Sequence, residues 1–89
     1  MAETPEQLFG QMLRALRRER HLSQEELGFE SGYHRTYISD LERGKYSPSL
    51  IAILRLSRAL DVLPSELLRR IEREVTEIPE RPTERNPLG

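Results

Sequence analysis

Apolar residues recur along this chain at spacings of three and four, and nowhere do they alternate with polar ones as a half-buried strand would require. Leu8, Phe9, Met12, Leu13 and Leu16 predict a first helix from about Thr4 to Arg20. Thr4 followed by Pro5, with Glu6 and Gln7 in the first turn, starts it well. Arg14, Arg17 and Arg18 fall on the opposite face. His21 stands where a helix-ending residue in the left-handed conformation is expected, a conformation that His tolerates better than most residues.

Ser23-Gln24-Glu25-Glu26 then forms a capping box, in which the serine hydroxyl accepts from a free backbone N–H and Glu26 reaches back to the serine amide. The second helix runs to about Ser31. Gly32 supplies the positive φ that ends it, Tyr33 plugs inward, and His34 opens a third helix that stops at Gly44. With Ile38 at the centre of that helix's buried face, Leu41 and His34 lie beside it. Thr36, Ser39, Asp40 and Arg43 point away, and Arg35 and Tyr37 flank. Pro48 between Ser47 and Ser49 marks a fourth helix, whose predicted core stripe is Leu50, Ile53, Leu54, Leu56 and Leu60 with Ser57 inside it. Asp61 terminates it. Pro64-Ser65-Glu66 begins a fifth helix through Leu67, Leu68 and Ile71 toward Val75. The expectation is an all-α, five-helix domain over residues 1–75. Residues 76–89, where Pro79, Pro82 and Pro87 stand among charges, are expected to form a flexible tail.

Eighty-nine residues suffice for one core. The absence of cysteine excludes a disulfide framework, a thiolate zinc site and a cysteine nucleophile. No apolar run is long enough to cross a membrane, and the N-terminus lacks the pattern of a secretory signal, so a cytoplasmic protein is expected. The histidines His21 and His34 have no metal-type ligand spacing, and no Gly-rich phosphate loop is present. Carboxylate pairs such as Glu25/Glu26 lie on an exposed helix face. No catalysis, metal, cofactor or small-molecule ligand is therefore expected.

The third helix is the better candidate for chemistry. An ordinary solvated helix would carry long Glu/Lys pairs on its outer face. This one presents a hydroxyl, a methyl-bearing threonine, an aromatic ring and two arginines. Such groups fit a DNA major groove: Arg matches guanine, Ser several bases, and the Thr methyl the thymine methyl. A net charge of −1 and a pI near 6.1 argue against DNA. The charge is uneven, however. Arg14, Arg17, Arg18 and Arg20 crowd one helix, and Arg35, Arg43 and Lys45 lie in and after the third, while Glu25, Glu26, Glu30 and the stretch from Glu72 to Glu84 hold the acids. Binding follows the local patch rather than the sum. Thirteen of the 14 basic residues are arginine, which suits bidentate contacts, although a genomic codon bias gives the same excess.

The run Gln24…Leu27-Gly28…Gly32-Tyr33…Ile38…Leu41-Glu42-Arg43-Gly44-Lys45…Pro48-Ser49-Leu50 closely resembles the phage repressor/Cro class of helix-turn-helix domains, the XRE family. The resemblance spans roughly Phe9 to Leu68. HRTYISDLERG looks especially like the controller proteins of restriction–modification systems. The resemblance implies a lambda-repressor-like DNA-binding domain in which Gln24 bonds a phosphate. Arg35, Thr36, Ser39 and Asp40 would face bases, with Arg43, Lys45 and Tyr37 on the backbone; the helix-capping residues Ser23 and His34 complete the predicted DNA-binding set. Asp40 departs from a DNA-facing pattern, and would either accept from a cytosine amino group or act by exclusion. Gly28 stands where alanine is usual, and Tyr33 where valine is usual. The resemblance also pairs Glu42 with Arg17, whereas wheel position alone favours Arg20.

These features predict a sequence-specific, double-stranded DNA-binding transcriptional regulator, acting as a homodimer on a (pseudo)palindromic operator. Two other functions fit the pattern: an antitoxin whose surface also clamps a toxin, and a protein-interaction module that kept the fold and lost DNA binding. Ile51 lies opposite the fourth helix's core stripe, between Arg55 and Arg58. With Val62, Leu63, Leu67 and Ile71 it predicts a two-fold interface that sets the recognition helices about 34 Å apart.

Overall fold

A computed structural model describes residues 3–75, and the predicted tail, 76–89, lies outside them. Five helices follow one another: α1 (Pro5–Glu19), α2 (Gln24–Ser31), α3 (Arg35–Glu42), α4 (Leu50–Ala59) and α5 (Pro64–Glu74). There is no strand among the described residues. The architecture is the all-α, lambda-repressor-like arrangement.

Side-chain caps fix the starts of α1 to α4, and Pro64 at the first position opens α5. Thr4 Oγ1 accepts from Gln7 N at 3.1 Å, and Ser23 Oγ from Glu26 N at 2.9 Å. Gln7 and Glu26 each return a side-chain oxygen to the cap residue's amide, so both starts are full capping boxes. Ser49 Oγ caps α4 through Ala52 N at 3.0 Å. His34 caps α3, its Nδ1 accepting from Thr36 N at 3.0 Å. That role holds the imidazole at the surface and not beside the buried face, where helical periodicity places it. The helix ends are left-handed at His21 (φ 57°), Gly32 (φ 81°), Gly44 (φ 72°) and Asp61 (φ 56°).

The core gathers Phe9, Leu13 and Leu16 of α1, Leu27 of α2, Ile38 and Leu41 of α3, Leu56 and Leu60 from α4 and its cap, and Leu67 of α5. Helix α3 is packed between α1 and α2, α4 lies against α2, and α5 closes over α1 and α4. At the crossing of α1 and α3 a side chain has no room. A Cβ on Gly10 would lie 2.6 Å from the Glu42 carbonyl oxygen, so glycine lets the end of α3 rest directly on α1.

Three expectations are corrected. Leu50 and Leu54, expected on the α4 core stripe, are both exposed, and Ala52 is buried in their stead beside the expected Ser57. The buried face of this helix is narrower than its run of leucines, because α4 packs mainly against α2 and α5. Leu67, expected on the dimer surface, has no exposed area and belongs to the monomer core. Arg17, placed on the polar face of the first helix, is buried.

Candidate nucleic-acid interface

Glu42 is the last residue of α3, and three elements converge on it. Arg17 Nε of α1 donates to Glu42 Oε2 at 2.6 Å, and Arg17 Nη2 donates to Oε1 at 3.0 Å, a bidentate pair. Gln24 Nε2, at the start of α2, donates to the same Oε1 at 3.1 Å. Arg17 Nη1 also donates to the Leu22 carbonyl at 2.8 Å, tying in the turn between α1 and α2. The Glu42 side chain is only 4% exposed and that of Arg17 11%. Glu42's hydrogen bond raises the Arg17 pKa above its ordinary value, against the opposing effect of burial. Burial of Arg17 is possible because every side of its fork meets an acceptor. Arg20, the rival partner, reaches toward Asp61 instead, donating to its carbonyl at 3.3 Å.

This tie fixes the end of α3 and leaves its beginning free. Arg35 and Thr36 are exposed, and Tyr37 and Ser39 are half-buried. The first turn follows directly from the α2–α3 turn, where Tyr33 N donates to the Gly28 carbonyl at 2.8 Å. Ser23 and Gln24 open α2, and Ser23's amide and hydroxyl hold the exposed Glu26 carboxyl below its ordinary pKa. Lys45 follows α3 on an exposed loop, with its ammonium 5.6 Å from the Tyr46 ring centroid.

The cations here already have internal partners. Arg35 Nη1 lies 3.7 Å from Glu25 Oε2, with both side chains largely in solvent. Arg43 Nη2 donates to Asp40 Oδ1 at 2.6 Å. This corrects the expectation for Asp40. Its side chain is mostly buried and engaged by Arg43, so it supports its neighbour and does not stand free to meet a base.

The expected dimer residues divide. Ile51 and Leu63 are exposed, Val62 and Ile71 are half-buried against the core, and Leu67 is inside. Leu50, Leu54 and Leu68 are exposed as well, and none of the three was expected on that surface. Another feature invisible to helical periodicity is a stack: the Tyr33 and Tyr37 rings lie 4.8 Å apart, with the Arg55 guanidinium carbon 5.5 Å from the Tyr33 centroid. The only sequence hint was the bulky ring at position 33.

Comparison with known proteins places this geometry. The helix-turn-helix family profile matches residues 13–67. The control protein C.BamHI of Bacillus amyloliquefaciens is 52% identical over 62 residues, which cover 68% of this chain and 76% of that protein. The crystal structure of the restriction-modification controller protein C.AhdI from Aeromonas hydrophila aligns with a TM-score of 0.68 at 50% identity, covering 70% of this chain and 94% of that one. The solution structure of the DNA-binding domain of the P22 c2 repressor aligns with a TM-score of 0.67 at 37% identity, covering 70% and 82%. Among the described residues no helix is long and apolar enough to cross a membrane. The chain belongs to the XRE-type helix-turn-helix family of DNA-binding transcriptional regulators, and within it is similar to restriction–modification controller proteins.

Proposed function

We propose that this protein is a controller of a restriction–modification system, a homodimer that binds a (pseudo)palindromic DNA operator and regulates transcription from it. The observation that carries this reading is the clamp on Glu42. It holds α3 by its C-terminal end and leaves Arg35 and Thr36 exposed on the first turn. A helix held this way presents its N-terminal residues to a major groove. Arg35, Thr36 and Ser39 then meet base edges, Arg35 with the fork that matches guanine.

Gln24, Arg43 and Lys45 take the phosphates, and Tyr37 flanks the base-facing residues at the edge of the same helix face. Gln24 has a second amide hydrogen beyond the one given to Glu42, and that hydrogen is available to a phosphate oxygen. Ser23 and His34 each spend their side chain on a cap, which leaves early backbone N–H groups of α2 and α3 for phosphate. Exposed Ile51, Leu63, Leu50, Leu54 and Leu68 supply the apolar surface for a two-fold contact through α4 and α5, with Val62 and Ile71 at its edge.

Selection of duplexes from a random pool by the whole chain tests the proposal. The expected product is one inverted repeat with half-sites a helical turn apart, bound with an affinity that falls steeply as salt rises. Recovery of no common sequence, together with binding indifferent to salt, would favour a protein-interaction module and overturn the proposal.

A further inference from the structure

Tyr33 stands at the hinge between α2 and α3, with its backbone fixed on both sides. Its N–H donates to the Gly28 carbonyl at 2.8 Å, and its own carbonyl sits so close to α2 that a Cβ on Gly28 would lie 2.5 Å away. A rigid backbone gives its side chain a defined origin. The ring is half-buried and packs against the core. It lies against the Tyr37 ring, with centroids 4.8 Å apart and planes inclined at 42°. Arg55 of α4 places its guanidinium carbon 5.5 Å from the Tyr33 centroid. Both separations fall within the ranges where such contacts attract. The stack Arg55–Tyr33–Tyr37 therefore joins α4 to the first turn of α3.

Tyr37 sits between Thr36 and Ile38, on the turn that exposes Arg35 and Thr36. A tyrosine at the start of a helix has more than one staggered position for its ring. Contact with Tyr33 selects one of them. Burial, and then the neighbouring Tyr33 phenol, raise the Tyr37 phenol's pKa above its ordinary value.

We infer that Tyr33 is a specificity-determining positioning residue: braced by Arg55, it sets the orientation of the Tyr37 ring at the DNA-facing edge without touching DNA itself. This inference rests on the DNA-binding reading above. The departure from the small aliphatic residue at position 33 that the family resemblance leads one to expect then has a function. It makes base preference beside Tyr37 depend on a residue in the turn and on another in α4.

The test compares the selected duplex with its single-base variants, for the full chain and for Tyr33→Val, Tyr33→Phe, Arg55→Ala and Tyr37→Ala. Tyr33→Val should reduce discrimination by about two- to tenfold, the worth of one aromatic pair. The loss should fall at the base pairs that Tyr37→Ala also relaxes, with affinity for unrelated duplex unchanged. Tyr33→Phe keeps the ring and should restore the parent's preference. The double variant Tyr33→Val/Tyr37→Ala should discriminate no worse than Tyr37→Ala alone, since the two act as one unit. In the free protein, Tyr37 ring-proton shifts should move in Tyr33→Val and stay in Tyr33→Phe, a signature that mere loss of stability does not produce. Arg55 is exposed, so Arg55→Ala carries the same test if Tyr33→Val fails to fold, with relaxation at the same base pairs. Undiminished discrimination in Tyr33→Val, or in Arg55→Ala where that variant stands in, overturns the inference and leaves the DNA-binding reading intact. A parent chain that selects no duplex overturns both.

Discussion

Replacing Glu42 with glutamine changes one oxygen for one NH2 and almost no volume, so its effect measures the charge at the junction of three helices. Glu42 accepts from Arg17 at 2.6 and 3.0 Å and from Gln24 at 3.1 Å. Glutamine offers one acceptor in place of two and turns two donors toward a buried guanidinium. Arg17 keeps its contact with the Leu22 carbonyl, but its charge loses its counter-ion. Removing one partner of a buried pair typically costs about 3–5 kcal/mol. The surviving carbonyl contact and the 11% exposure of Arg17 place the expected loss at the lower end, about 3 kcal/mol. For a domain of this size each kcal/mol shifts Tm by roughly 4–8 °C, so the fall should be about 12–24 °C at fixed protein concentration. Helical circular dichroism followed through a thermal melt reads it directly. A companion variant, Glu42→Gln with Arg17→Met, should recover much of the loss, because the orphaned charge is gone. An unchanged Tm in Glu42→Gln would refute the argument, as would additive losses in the double variant.

Arg35→Ala should cost about 1–3 kcal/mol on the selected operator and relax preference at one base pair, whereas Lys45→Ala should weaken all duplexes alike and flatten the salt slope by about one unit. Indistinguishable behaviour across a panel of sites would remove that division of roles. Gly10→Ala should destabilise the fold by about 1–3 kcal/mol in denaturant titrations even though alanine is the better helix former, because its methyl meets the backbone of α3's last turn. Ile51→Glu should sediment as a folded monomer; persistence of a dimer would move the interface away from α4.

Helix boundaries were legible because their signals are local. A capping serine, a left-handed His21 or a proline at the first helical position acts within four residues and needs no knowledge of the partner helices. Burial was less so. Leucine at positions 50 and 54 reads as core on any wheel, but only the packing of α4 against α2 and α5 decides which part of an apolar helix is covered. Leu67 fails the opposite way: its apolar neighbours in sequence suggest a surface patch, and α5 closes over the core at that point. Asp40 illustrates a third limit. It stands three positions before Arg43 on one helix face, a spacing that sequence does show, yet its burial goes with the loop that folds back so that Lys45 N donates to the Asp40 carbonyl. The Arg55–Tyr33 contact joins residues 22 positions apart, and no periodicity links them.

The acidic balance of the chain acquires a purpose once the ion pairs are placed. Arg35 faces Glu25, and Arg43 holds Asp40, so under the proposed DNA contacts each arginine would exchange a carboxylate for DNA. For Arg35 the exchange is cheap, since an exposed pair is worth at most about 1 kcal/mol. Glu25 nevertheless remains near the DNA and repels phosphate within a Debye length, about 10 Å at 0.1 M salt. That repulsion acts on every sequence equally, whereas the proposed base contact of Arg35 would be made only on the right one. The pair therefore lowers idle binding to bulk DNA more than it lowers the ratio of specific to non-specific affinity. Glu25→Gln should tighten binding to the operator and to unrelated duplex together, by up to about fivefold at low salt, with the gain fading as salt rises. Tightening confined to the operator would show that Glu25 tunes a base contact instead, and no change at low salt would show that Arg35 approaches DNA unhindered by its partner.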